Sequence, residues 1–566
     1  MLQHENQAPD PTAVRAARAY HARCRMRFRL ACLGFALAFV LIGGRLVSLG
    51  LAEKGPGRGG SYDISTTIHR PDILDRNGEL LATDIRGATL FADPKRILDA
   101  DEVVTGIVSV LPKTNEARLR KQLARPSRFV RIARELTPFQ QHQVHDLGFP
   151  GLGFIQEYRR FYPVGATASH VVGLVDVDNR GLAGIEKYID NNPQLTMMNP
   201  QTETGGETVA VSLDVGVQHV LREELVNAIS LYKAKAASGI VMDVHTGEIV
   251  ALASLPDFDP HRRQEALDKN RINRIGFGVY ELGSIFKAFT VAGVLDSGLA
   301  NLNSVYDATS PIYFGRFSIN DFHGKRRPLT VAESFIYSSN IASAKMAMHM
   351  GVPAHRAFLK KLGFLDPVLT ELGPSAAPIV PKNWKKLNTM TIAFGHGLSV
   401  TPLQLATATL PLVNGGHAIP PTFLPRTREE AMTVSTRVVS AETSAAVVKL
   451  MRENVLRGSG KRADAEGYRV GGKTGTAEKV VNGRYARHSL LNSFLSVFPT
   501  DDPQYVVLVT LDEPQRVEAT NWVSTAGRNA APTVGKVVAR IAPILGVQPR
   551  LGETASRFDG TSSATY

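Results

Sequence analysis

Tyr280-Glu281-Leu282-Gly283-Ser284-Ile285-Phe286-Lys287-Ala288-Phe289-Thr290 is the stretch around which the chain is organised. A serine and a lysine three residues apart share one face of a helix, here at its first turn. Ile285, Phe286, Phe289, Val291, Val294 and Leu295 are apolar around most of the circumference, which predicts a central, buried helix. Asp296-Ser297-Gly298 reads as its stop signal, with Gly298 as the C-terminal cap. A lysine ammonium in such a place must be paired or have a lowered pKa. A lysine that goes neutral near pH 7 can take a proton from a serine, so Ser284 is a candidate nucleophile and Lys287 its base.

Ser-x-x-Lys alone is a weak signal, and Ser230-Leu231-Tyr232-Lys233 also fits it. That copy ends its helix, where the macrodipole opposes a developing alkoxide, whereas Ser284 opens one, where free N–H groups stabilise negative charge. A second element is Tyr337-Ser338-Ser339-Asn340, between an apolar helix over 331–336 and an apolar run over 341–350. Ser338 offers a hydroxyl to relay protons, and Asn340 an amide to hold the base and a substrate carbonyl, or a plain helix cap. Ser318-Ile319-Asn320 repeats the pattern in a loop. The third element is Gly471-Gly472-Lys473-Thr474-Gly475-Thr476. Glycines weaken a strand unless another backbone comes close, and on an edge strand they let an extended peptide add to the sheet. Lys473 supplies positive charge for a substrate carboxylate, with Thr474 and Thr476 as hydroxyl donors.

The 566 residues predict two or three domains, and 43% hydrophobic with 21% charged residues is a globular composition. The net charge of +13 does not point to nucleic acid: no zinc spacing, RNA-binding aromatic signature or long lysine run accompanies it. Part of the excess is Arg15, Arg18, Arg23, Arg25, Arg27 and Arg29. Directly after them, Leu30 to Leu51 is nearly all apolar, and at about 1.5 Å per residue it just reaches across a hydrocarbon core of about 30 Å. The arginines predict a cytoplasmic N-terminus and an outward-facing remainder, with Arg45 snorkelling at the far end. Both cysteines, Cys24 and Cys32, lie at or in this segment, so the outward portion has neither disulfide nor thiol chemistry.

The predicted organisation is a basic tail over 1–29, a transmembrane helix over 30–51, a non-catalytic pedestal over 55–212, a catalytic domain over 213–547 and a polar, disordered tail over 548–566. Asn77-Gly78, between Ile73-Leu74 and Leu80-Leu81, signals a hairpin. A helix is predicted over 215–233, strands over 238–244, 249–253, 493–498 and 505–511, and a last helix over 526–545 interrupted by Pro532 and Pro543. Strands at both ends with helices between them suggest an α+β domain, its helices packed on an antiparallel sheet.

Ser-x-x-Lys, Ser-x-Asn and Lys-Thr-Gly, in this order, resemble the penicillin-binding proteins and serine β-lactamases, for which the trio is an established signature. The gaps, 54 residues from Ser284 to Ser338 and 135 from Ser338 to Lys473, are similar to those of the transpeptidase members. Arg70-Pro71-Asp72 through Gly78-Glu79, the Tyr162-Pro163 region and Gly395-His396-Gly397-Leu398-Ser399-Val400-Thr401-Pro402 further resemble class B penicillin-binding proteins. His170-Val171-Val172-Gly173 and Val177 through Lys187 are similar to the division-specific, FtsI-like branch. The resemblance spans about residues 25 to 545. Glu281-Leu282-Gly283-Ser284 departs from the Glu-Pro-Gly-Ser of many relatives, which loosens the approach to the helix but removes no chemical group.

The resemblance implies a serine D,D-transpeptidase that cross-links peptidoglycan stem peptides without metal or organic cofactor, and that β-lactams acylate. It implies Ser284, Lys287, Ser338 and Asn340 as catalytic residues, the N–H groups of Ser284 and Thr476 as the oxyanion hole, and Lys473, Thr474, Gly475 and Thr476 as the carboxylate site. It also implies a single-pass inner-membrane protein with a periplasmic catalytic domain, working beside an FtsW-type glycosyltransferase and divisome proteins. An elongation-specific transpeptidase, a carboxypeptidase or β-lactamase with water as acceptor, a β-lactam sensor and a scaffold with a vestigial site are the alternatives.

Overall fold

The computed structural model describes residues 26, 29–30, 33–44, 70–196, 208–315, 317–481 and 484–550. The chain divides into two compact units, Met1–Ile68 and His69–Tyr566. In the first, residues 33–44 are helical, while the remainder of the expected 30–51 span is described only at its first residue. No described helix is long and apolar enough to cross a membrane, so the expected transmembrane helix is not met within the described residues. Almost all of the basic tail over 1–29, the first residues of the expected pedestal, 55–69, and the end of the tail, 551–566, lie outside them.

The second unit opens with the expected hairpin. β1 (Ile73–Leu74) turns at Asn77-Gly78 into β2 (Leu80–Ala92). The Asp75 carboxylate accepts from the N–H groups of Asn77 and Glu79 at 2.7 and 2.8 Å, and from that of Val215 at 3.0 Å. The turn therefore also caps the first helix of the catalytic portion. β2 pairs antiparallel with β3 (Val130–Leu136) and β4 (Leu152–Phe161), and β1 pairs parallel with β5 (Val209–Ala210).

At the centre of this pedestal lies a buried charge cluster. Arg160, fully buried, donates to Glu186 at 2.6 Å, Asp84 at 3.3 Å and the Pro71 carbonyl at 2.8 Å. Arg70 donates to the other Glu186 oxygen at 3.0 Å. Charges this deep persist only when every one is paired.

The catalytic portion is built on one antiparallel sheet. β6 (Ala236–Asp243) and β7 (Ile249–Leu255) come early in the chain; β8 (Gly471–Val481), β9 (Arg484–Phe498) and β10 (Tyr505–Asp512) come late. Their order is β8-β9-β10-β6-β7, which makes β8 an edge strand. Alternation along each strand feeds two cores. Ala237, Val241, Val507 and Val509 pack with helices α1 (Val215–Tyr232) and α5 (Ala530–Ile544), while Ile240, Met242, Val506 and Leu508 pack with α2 (Lys287–Asp296). Because both faces are covered, the strands read as unbroken apolar runs. Pro532 falls in the first turn of α5, where its missing N–H costs nothing, so that helix is not interrupted there. The second core runs on into the pedestal through Ile73, Leu81, Val209 and Val211.

Candidate active site

Ser284 lies in a 3₁₀ turn, Gly283–Phe286, that runs directly into α2. The helix is buried over Lys287–Val294 and closes on Gly298, whose φ is +70°. Ser284 itself is half-buried and faces the edge of β8. Turn and strand approach to backbone contact. A Cβ on Gly475 would lie 2.3 Å from the Leu282 carbonyl oxygen, and one on Gly283 2.8 Å from that of Thr476, so neither position admits a side chain. In an antiparallel strand a residue's N–H and C=O leave on the same side. The Thr476 carbonyl points at the serine turn, so its N–H does too, and the expected oxyanion donors of Ser284 and Thr476 stand on one rim.

The Lys287 ammonium nitrogen lies 3.0 Å from Ser284 Oγ, 3.0 Å from Ser338 Oγ and 2.5 Å from the Ser338 carbonyl oxygen. A carbonyl can only accept, so one N–H is committed there. In the neutral amine, one N–H and one lone pair remain for the two hydroxyls, and the lone pair can accept the Ser284 proton. Burial, with the charge of Lys473 second, pushes the Lys287 pKa well below its ordinary range, and Asp321 opposes the shift. Lys473, also fully buried, donates to Ser338 Oγ at 3.0 Å, and burial pushes its pKa down to about 7. Ser284, Lys287, Ser338 and Lys473 thus form one continuous hydrogen-bonded chain. Ser338, with φ +59°, stands in the left-handed region between α3 (Val331–Ile336) and α4 (Asn340–Met350), a strained backbone of the kind that collects at functional sites.

Two placements differ from the sequence reading. Lys473 lies behind Ser338, sealed from solvent, where its ammonium donates to Ser338 Oγ rather than lining an open cleft. Asn340 donates its side-chain N–H to the Asn320 carbonyl at 2.8 Å and makes no hydrogen bond to Lys287 among the described residues. The cap of α4 is Ser339, not Asn340. Behind both is Asp321, which sequence reasoning missed: its carboxylate accepts from Ser339 Oγ at 2.7 Å and from the N–H groups of Asn340 and Ile341 at 2.6 and 3.0 Å. The only trace of it is its place after the repeated Ser318-Ile319-Asn320.

Thr474 Oγ1 pairs with Ser459 Oγ at 2.7 Å, and Thr476 Oγ1 accepts from the Ala526 N–H at 3.1 Å, which leaves the Thr476 hydroxyl proton free to donate. Ser230 is exposed at the C-terminal end of α1, away from this chain of groups.

The family model for the penicillin-binding protein transpeptidase domain matches residues 237–539, and that for the penicillin-binding protein dimerisation domain matches 65–193. The chain is 40% identical over 506 residues to the probable peptidoglycan D,D-transpeptidase FtsI of Caulobacter vibrioides, covering 87% of this chain and 84% of that one. It is 28% identical to the peptidoglycan D,D-transpeptidase FtsI of Escherichia coli K12, with 92% of each covered. Among solved structures, penicillin-binding protein 3 of Mycobacterium tuberculosis complexed with aztreonam shares the fold at a TM-score of 0.66 and 24% identity, over 85% of this chain and 97% of that one.

Proposed function

The chain belongs to the penicillin-binding protein transpeptidases, in the class B, FtsI-like branch, and on that premise we propose that Ser284 carries an acyl-transfer cycle that cross-links peptidoglycan stem peptides at the division septum. The observation that carries this reading is the unbroken hydrogen-bonded chain Ser284–Lys287–Ser338–Lys473 beside an edge strand.

A stem peptide ending in D-Ala-D-Ala adds along the free edge of β8. Lys287, neutral through burial, takes the Ser284 proton as Oγ attacks the penultimate carbonyl. The N–H groups of Ser284 and Thr476 receive the oxyanion, each worth about 2.7–4 kcal/mol in related acyl transfer. Ser338, bonded to both lysines, passes a proton to the departing D-alanine amine. Thr474 and Thr476 receive the terminal carboxylate, with Lys473 setting the field from behind. Asn340 borders the substrate carbonyl rather than holding the base. An acceptor amine then resolves the acyl-enzyme, and a β-lactam acylates Ser284 and stays.

Residues 30–51, preceded by the arginine cluster, anchor the chain in the inner membrane with its N-terminus cytoplasmic and its catalytic portion periplasmic, beside an FtsW-type glycosyltransferase. The apolar run and the charge asymmetry support this placement.

Covalent labelling by a fluorescent penicillin tests the reading. Label is expected on the wild type and on Ser230→Ala, and none on Ser284→Ala. Labelling that survives Ser284→Ala, or is absent from the folded wild type, refutes it.

A further inference from the structure

Beside the serine turn, a second group of polar side chains has no part in the acylation half of the cycle. Glu281, three residues before Ser284, accepts from the Gly397 N–H at 2.8 Å and from the Tyr485 hydroxyl at 3.1 and 3.2 Å. Gly397 belongs to the turn Gly395-His396-Gly397, whose Gly395 carbonyl accepts from the Gly283 N–H at 3.3 Å. A Cβ on Gly395 would lie 2.0 Å from the Gly283 carbonyl oxygen, so the two turns are fused backbone to backbone. That fusion fixes the turn carrying His396 against the turn carrying Ser284. Its ring lies 6.0 Å from that of Tyr485, and its Nδ1 is shielded from solvent without a well-directed partner among the described residues. Three elements therefore converge here: the serine turn, the Gly-His-Gly turn and the far end of the β8–β9 hairpin.

We propose that Glu281 and His396 form the acceptor side of the active site, with Glu281 binding the ammonium of the incoming amine and His396 taking its proton. This rests on the transpeptidase reading above. An aliphatic amine reaches the acyl-enzyme protonated at neutral pH, and as an ammonium it has no lone pair with which to attack. A carboxylate held open beside the ester draws that cation in, and a neutral imidazole is suited to unload it.

One ammonium proton passes to His396 and then to solvent. The freed nitrogen lone pair forms the C–N bond, the bond from carbon to Ser284 Oγ breaks, and the second proton returns through Lys287 to Oγ. Water, the competing nucleophile, needs no cation site, so the pair favours aminolysis over hydrolysis.

Burial, against two facing carboxylates, favours the neutral resting form of His396. Burial pushes its pKa down and Lys287 adds to that shift, while Glu281, Glu478 and the Phe394 carbonyl oppose it. The Tyr485 hydroxyl, raised to about 12 by burial and by Glu281, keeps its proton and holds the Glu281 carboxylate in place.

The test uses the full chain with an N-acyl-D-alanyl thioester as donor and glycinamide as acceptor, and measures amide and acid products together. Glu281→Gln removes the charge and keeps one side-chain oxygen, which can still accept from the Gly397 N–H and the Tyr485 hydroxyl, while the other oxygen becomes an N–H donor. It is expected to raise the KM for glycinamide at least about fivefold with little change in kcat. His396→Gln is expected to lower kcat for aminolysis about 10²-fold, so that the amide-to-acid ratio falls and kcat no longer rises as the imidazole deprotonates. An unchanged amide-to-acid ratio in both variants overturns the proposal. So does loss of fluorescent-penicillin labelling in both, which places the residues in the donor half. Thioester turnover that survives Ser284→Ala is a separate outcome, and removes the transpeptidase reading itself.

Discussion

Replacing Gly475 by alanine puts a methyl group 2.3 Å from the Leu282 carbonyl oxygen and 2.8 and 3.0 Å from two Ile285 side-chain carbons. Ile285 is buried and the carbonyl belongs to the serine turn, so neither can swing away. Restoring ordinary contact at 3.4 Å requires the edge strand and the turn to part by about 1 Å. Overpacking of this kind costs about 1–3 kcal/mol. For a domain of about 330 residues that is a fall in Tm of about 1–2 °C per kcal/mol. The larger effect is on chemistry. The opening lies between Ser284 and the Thr476 N–H, and a displacement of about 1 Å within a catalytic constellation costs about 10²-fold in rate. The assay is the second-order rate constant of acylation by a fluorescent penicillin, read beside the melting curve. Gly276→Ala is the control, because the nearest atom to its Cβ is 3.7 Å away. Wild-type acylation and an unchanged Tm in Gly475→Ala would show that backbone contact does not set the position of Ser284.

Three further outcomes follow from the same geometry. Lys473 is held near pKa 7 in the folded protein and is ordinary when unfolded, so between about pH 7 and 10 the unfolded chain binds the extra proton and stability rises with pH. Lys473→Met is expected to flatten that rise, measured as the denaturant midpoint at pH 7 and pH 9 in both proteins; an identical slope refutes it. Asp321 raises the Lys287 pKa against burial, so Asp321→Asn is expected to move the acid limb of the acylation profile to lower pH and to weaken the start of α4 by about 1 kcal/mol, seen in a pH-rate series and a melt. Arg160→Ala leaves the buried Asp84 carboxylate without its cation and Glu186 with Arg70 alone, at a cost of about 3–5 kcal/mol, read as a lowered denaturant midpoint.

What the sequence disclosed, and what it hid, divides along the range of the interactions. Ser284 and Lys287 share a face through helical spacing, and the Asn77-Gly78 turn is chemistry within four residues, so both were legible. The strands at the two ends of the catalytic portion were legible as apolar runs, but their interleaving was not, since order within a sheet leaves no local trace. Asp321 acts only because the loop carrying it folds back onto Ser339 and Asn340. Lys473 looked like an exposed cation because lysines usually are, and only the packing of α3 and Ser338 over it seals it away. Arg160 and Glu186 escaped notice for the same reason: charged residues read as surface until their partners, 26 positions apart, are seen together. The interrupted helix over 526–545 was an error of weighting, because a proline in a first turn is a start and not a break.

The strand order β8-β9-β10-β6-β7 also sets a schedule. As the chain is made from its N-terminus, β6 and β7 emerge early, yet the neighbour that β6 requires, Tyr505–Asp512, is synthesised some 260 residues later. Ser284 and Lys287 exist as sequence long before Lys473 and Thr476, and the rim that activates the serine closes only when the last third of the protein has been added. The cost of closing so long a loop falls before any contact repays it, which makes the sheet slow to assemble. It also makes reactivity a report on completion: a chain cut short before β8 carries the nucleophile but not the machine that arms it.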